Sequence, residues 1–340
     1  MGLRITVDIF SGRPNPTWEI QDQEQVLELI QLIAHHQEAV ADVSGGFTGL
    51  GFRGIQVEIT DDLDTAGLPA VFKVAGGGDR DPYTGADVAE RLLETMPVGG
   101  LDESGENGER RPAEDEGEGA GAGDTAALGE SFPEDFRESV REEIRRTARE
   151  GAGGATTIEP TESGGITEAD AAEVEKQLQT LVHRAALACA YDVTPFNPAF
   201  WNRPDTQAYN NCYNFAVNRR TNTFAQPGRA HGYTIPRTVR CGEVSSGAQR
   251  DGLRLWGNCQ PAGSLRYVVA LVTGTFPGNL RDYHWYRLHP GGLWAHKPGG
   301  TPARNTDNSG RLITNPYTCD RRPYNEWCGL FQTHNSIVIR

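Results

Sequence analysis

Residues 99 to about 165 constrain how the rest of the chain can fold. Gly, Glu, Asp, Ser and Ala dominate there. A run such as AEDEGEGAGAGD, residues 113–124, holds too little apolar surface to offset the entropy of ordering it. The 340-residue chain is therefore expected to be divided: an N-terminal α+β interaction or delivery module over residues 1–98, a disordered acidic linker over 99–165, and an α+β domain over 166–340. One stretch of the linker differs. PEDFRESVREEIRRTARE sets Phe136, Val140 and Ile144 at four-residue spacing among charge pairs, which predicts a short helix, isolated or docked on a partner.

Charge follows the same division. From Tyr191 to Arg340 there are 17 Lys and Arg against 8 Asp and Glu, a net of +9. The remainder carries 15 against 38, a net of -23, so the basic part meets either an anionic partner or the acidic stretch of its own chain. No run of 18 apolar residues occurs, so no membrane-spanning helix is expected. MGLRITVDIFSG lacks a basic stretch followed by an apolar run, so no secretory signal is expected and the default compartment is the cytoplasm, with non-classical export as the exception.

In residues 1–98, LRITVDIF alternates as a half-buried strand does, and SGRPNP ends it with glycine and two prolines. Read on its own, SGRPNPTW is a rigid surface turn with Trp18 packed beneath. Val26, Leu27, Ile30, Ile33 and Ala34 recur at helical spacing. GIQVEIT and AVFKVAG read as further strands, and GADVAERLLETM as a second helix.

The C-terminal part opens with a helical pattern, TEADAAEVEKQLQTLVHRAALACA, in which His183 reads as a packing residue. Short strands follow in LRYVVALVTGTF, DYHWYRLH and GLWAHKPG. All six cysteines lie here. None forms a C-x-x-C pair, and Cys241/Cys259 and Cys319/Cys328 could pair as disulfides outside the cell or stay free thiols inside it.

Three residues could carry chemistry. Cys212, in YNNCYNFAVNRR, stands where a helix would begin, capped by Asn210 or Asn211, and the positive end of a helix dipole favours the thiolate. In HWYRLHPGGLWAH a turn near Pro290, with pairing symmetric about it, sets His284 opposite His296 and Tyr286 opposite Trp294. The even separations keep both pairs on one face. A base and its orienting partner aimed at a helix-borne cysteine are the parts of a thiol hydrolase. His289 falls within the turn, and His231 lies in the loop GRAHGY.

The order of Cys212, then His284, then His296 twelve residues on, resembles the NlpC/P60 branch of the papain-like cysteine hydrolases over about residues 205 to 298. The resemblance implies a papain-like fold for the C-terminal domain and cleavage or transfer at an amide bond of a peptide or protein substrate. Cys212 would be nucleophile, His284 base and His296 orienter. Gln207, Tyr209 and Asn211 would be the substrate or oxyanion candidates beside the Cys212 N–H. A second resemblance rests on NNCYNFA, TFAQPGRA, DYHWYR and WAHKPGGTP. These are similar to a scattered group of proteins that includes some from mollusc shell matrix, and they imply a non-enzymatic role.

Alternatives stand beside the hydrolase reading. Cys212, His284 and His296 are also zinc ligands by type, and a structural or interaction protein would use its cysteines only for packing or disulfides. TDNSGRLITN lacks calcium-loop spacing and reads as a hairpin turn, and CDRRPYNEW reads as a basic rim over buried aromatics rather than a nucleic-acid surface. There is no P-loop, G-x-G-x-x-G or G-x-S-x-G, and no cofactor is implied. The expected partners are a peptide or protein substrate and a protein partner for the N-terminal module.

Overall fold

A computed structural model describes residues 2–43, 45–60, 67–77, 81–98, 131–152 and 189–340. The fold is mixed α+β, as expected. In the N-terminal part, β1 (Leu3–Val7), β2 (Thr17–Ile20), β3 (Ile55–Ile59) and β4 (Val71–Val74) form an antiparallel sheet in the order β2-β1-β3-β4. Alternation sorts its faces. Leu3, Ile5 and Val7 pair with Ile59, Val57 and Ile55 on the core side. On the other side, Arg4 bridges Glu19 and Glu58, each at 2.9 Å.

Helices α1 (Gln23–His35) and α2 (Pro82–Glu94) contribute to that core. Asp22 caps α1 by accepting from the Gln25 N–H, and Asp81 caps α2 from Tyr83 and Thr84. In α1 the buried series is Val26, Leu29, Ile30 and Ile33. Leu27, expected on the apolar face, points outward and is 44% exposed.

The linker helix forms as α3 (Glu134–Ala152), and its partner is this chain. Phe136, Val140, Ile144 and Ala148 are buried in the core that holds α2, while Arg141 and Arg145 reach Glu90. Phe132 N–H donates to the Pro97 carbonyl at 2.8 Å, so residues 131–133 re-enter the fold beside residue 98. The helical stretch expected over residues 167–190, with His183, lies outside the described residues up to 188, and residues 189–190 are not helical.

The C-terminal sheet is antiparallel, ordered β5-β9-β6-β7-β8, from β5 (Arg254–Leu255), β6 (Val268–Thr275), β7 (Arg281–Leu288), β8 (Trp294–His296) and β9 (Glu326–Gln332). β6 is buried on both faces, which is why it reads as an unbroken apolar run. Its even-numbered face, with Tyr286, Leu288 and Tyr324, joins the core of the N-terminal sheet. Its odd-numbered face, with Tyr283, Trp285 and Phe331, packs on α4 (Cys212–Ala216) and α5 (Cys241–Arg250). β9 and α5 carried no clear pattern: β9 is mostly half-buried and holds a glycine, and α5 is built largely from small residues.

The disulfides are Cys189–Cys259 and Cys241–Cys328, correcting the pairs Cys241/Cys259 and Cys319/Cys328. The start of α5 packs against β9, which brings Cys241 to Cys328, and Cys212 and Cys319 remain free thiols. The bonds close separations of 70 and 87 residues. By the chain-entropy model each stabilises the fold by about 4–5 kcal/mol. Peptide mapping of unreduced protein is expected to return these two pairs, and opening either to lower the thermal midpoint by on the order of 10 °C. A Cys241–Cys259 peptide would refute the arrangement of α5 on β9.

Candidate functional site

The turn between β7 and β8 is longer than its sequence suggested. Gly291 and Gly292 both take positive φ, and pairing is symmetric about Gly291 rather than Pro290. Tyr286, not His284, therefore lies opposite His296, and Leu288 lies opposite Trp294. The shift of two residues preserves side-chain parity, so His284 and His296 still share a face. Their rings meet, with His284 Nε2 and His296 Nδ1 2.8 Å apart.

Hydrogen bonding settles the tautomers. His296 Nε2 faces the Thr306 carbonyl at 3.0 Å and must carry the proton. His296 Nδ1 is then an acceptor for His284 Nε2–H, which leaves His284 Nδ1 to accept from the Ser11 hydroxyl at 2.8 Å. Burial, the neighbouring His296 and Arg53 push His284 well below the usual histidine range. Burial also brings His296 down to about 3, against the opposing Thr306 carbonyl. Both rings are neutral at physiological pH.

Ser11 belongs to the SGRPNP turn, which is not on the surface. Its side chain is fully buried, and the turn inserts into the C-terminal sheet. Backbone N–H groups of Ser11, Gly12 and Arg13 donate to the Asp282 carboxylate at 2.7, 3.0 and 2.9 Å, a nest of donors around a buried anion. The Tyr324 hydroxyl lies 2.5 Å from Asp282 Oδ2 and 2.7 Å from Ser11 Oγ, with one proton to serve both. Gly12 is obligatory here, because a Cβ would stand 2.5 Å from the Tyr283 carbonyl oxygen. A second buried cluster aims the turn. Asp8 pairs with Arg53 at 2.7 Å and Lys73 at 2.8 Å, and Arg53 also donates to the Phe10 carbonyl. Burial alone would raise the Asp8 carboxyl, but the two cations hold it well below the usual carboxylate range.

Cys212 does not join the histidines. It starts α4 and packs on the odd-numbered face of β7 with Tyr283 and Trp285, whereas His284 projects from the even-numbered face. Its sulfur faces the Tyr283 carbonyl at 4.0 Å. Burial and the nearby Asp282 push the thiol pKa well up, the reverse of nucleophile activation; a helix of five residues does not outweigh that desolvation.

The oxyanion candidates are also committed elsewhere. Asn211 caps α4, and its NH2 donates to Gly12 O at 2.9 Å and Ala225 O at 2.8 Å, tying the helix to the inserted turn. The Gln207 carbonyl, with those of Asn210 and Gly299, accepts from the buried Lys297 ammonium at 2.5–2.6 Å. Tyr209 is 48% exposed on the surface. No group of three His, Cys, Asp or Glu positioned for a metal occurs among the described residues, so the zinc arrangement of Cys212, His284 and His296 is not formed there. His289 donates to the Thr194 carbonyl at 2.7 Å, and His231 faces Asp251 from a loop. Ser11, Asp282 and Tyr324 were missed. The one available signal was Asp-x-His-x-Tyr, residues 282–286, placing polar groups on a single face of an otherwise buried strand.

No family model matches the chain. No solved structure matches it. Among curated proteins, insoluble matrix shell protein 1 of Ruditapes philippinarum is 48% identical over 146 residues, which are 43% of this chain and 92% of that protein. The shell-matrix resemblance thus has a counterpart and the papain-like one has none. The expected cytoplasmic location is corrected by this finding: the relative is named for a shell matrix, outside the cell, and the two disulfides require an oxidising compartment.

The buried neutral histidines predict acid sensitivity. Unfolded histidine titrates near 6.5, whereas the folded rings bind protons only at much lower pH. The unfolded chain therefore takes up more protons as pH falls from about 6.5 towards about 3, and stability is lost across that window. Urea unfolding from pH 7 to pH 4 is expected to show a loss of up to roughly 1.4 kcal/mol per pH unit for each such ring. His296→Gln should flatten the slope; an unchanged slope would mean that His296 titrates normally.

Proposed function

Because the chain belongs to the family of insoluble matrix shell protein 1 of Ruditapes philippinarum, we propose that it is a disulfide-stabilised structural or interaction protein of an extracellular matrix, not an enzyme. One observation carries this reading: the histidine pair that sequence spacing suggested as part of an active site is buried and hydrogen-bonded, and so are the Ser11 and Asp282 side chains joined to it. Ser11, Asp282 and His284 are each 0% exposed and His296 is 1% exposed, and their hydrogen bonds are made within the chain. Their hydrogen bonds join the N-terminal turn to the C-terminal sheet, which is the work of a fastening. The thiol-hydrolase reading needs a thiolate within hydrogen-bond reach of an imidazole. Cys212 is a buried thiol on the opposite side of the strand.

The test combines location and reactivity. In secreting tissue the protein is expected in the detergent- and salt-resistant extracellular fraction with both disulfides intact. In the oxidised, folded protein Cys212 should resist iodoacetamide until urea unfolds it. Recovery from cytosol with reduced cysteines would refute the matrix role. Rapid Cys212 alkylation, with amide hydrolysis abolished by Cys212→Ala, would restore the enzyme.

A further inference from the structure

Arg287 is a buried cation with no ion-pair partner among the described residues. It projects from the odd-numbered face of β7 and is 1% exposed. Buried charges are ordinarily paired and hydrogen-bonded. Of the other buried cations here, Arg53 and Lys73 are ion-paired with Asp8, and Lys297, which has no anion partner among the described residues, has its three N–H donors taken by carbonyls. Among the described residues Arg287 makes no ion pair. Its Nη1 donates to the Phe215 carbonyl at 2.6 Å, and its Nε–H has no acceptor. The guanidinium lies over the Phe215 ring at 4.5 Å and near that of Tyr267 at 5.5 Å. Burial lowers its pKa only to about 10, so it remains charged at neutral pH.

This cation borders a cleft of about 270 Å³. Arg220 is at the same cleft, loosely paired with Asp205 at 3.4 Å. Asn197 and Asn218 add carboxamides: the oxygen of Asn197 is taken by the Phe200 N–H, and the NH2 of Asn218 is engaged only weakly, 3.4 Å from the Tyr267 hydroxyl. Pro195 and Trp201 supply apolar wall.

We propose that this cleft binds a carboxylate, the side chain of a glutamate or aspartate presented by an acidic protein partner. A planar guanidinium matches a carboxylate in geometry. The apolar wall suits the methylene stem of such a side chain, which a bare inorganic anion lacks, and the cleft is large enough for the side chain. A ligand carboxylate in the cleft would supply a counter-charge to the guanidinium. The site follows from local geometry and does not depend on the matrix role.

The experiment uses the full-length oxidised protein and follows the Arg287 Nε–H resonance by NMR. The probes are acetyl-Gly-Glu-Gly-amide, its Gln counterpart, acetate and inorganic phosphate. The Glu peptide is expected to shift the resonance and to bind at least about ten-fold more tightly than the Gln peptide. Arg220→Gln, a change at the cleft rather than in the core, is expected to weaken it roughly three-fold. Arg287→Lys, which keeps the charge and loses the fork, should weaken it more. Equal affinity for the Glu and Gln peptides, no shift with any probe, or preference for phosphate over both carboxylates would each overturn the proposal.

Discussion

The fold depends on one buried carboxylate. Asp282 collects three consecutive backbone N–H groups and a tyrosine hydroxyl, and those donors come from residues 11–13 and 324, at opposite ends of the chain. Without it, each buried donor would cost about 1–3 kcal/mol as an orphan. The anion is therefore the reason that a turn from the first sheet can be driven into the second. Gly12 allows the approach, and Asn211 locks the turn to α4 from the other side.

The histidines extend this fastening. A neutral imidazole is a donor at one nitrogen and an acceptor at the other, so two in series carry a hydrogen-bond chain from Ser11 to the Thr306 carbonyl without burying a charge. Two charged rings would be costly in the same place. A Ser-His-His sequence of contacts is thus compatible with a purely structural role. What separates it from an active site is that every member is buried with its hydrogen bonds already made within the chain.

Much of the architecture was legible in the sequence. Alternation marks β1 and β3, the unbroken apolar run marks β6, and four-residue spacing marks α3. The paired histidines were legible too, because parity survives a two-residue error in register. The partner of that pair was not. Cys212 has the sequence context of an activated thiol, but which face of β7 it meets is a tertiary fact. Serine in a glycine-proline turn likewise reads as surface unless something deep is there to receive it, and Asp282 lies 271 positions away.

Local composition, then, determined the α+β class, the helical and extended segments and the common face of His284 and His296, since these follow from side-chain periodicity within short windows. Only the tertiary structure decided that Ser11 rather than Cys212 meets that face, that Cys241 pairs with Cys328, and that Arg287 has no counter-ion among the described residues. Each of these depends on the meeting of distant segments, and burial then decides which polar groups must find partners.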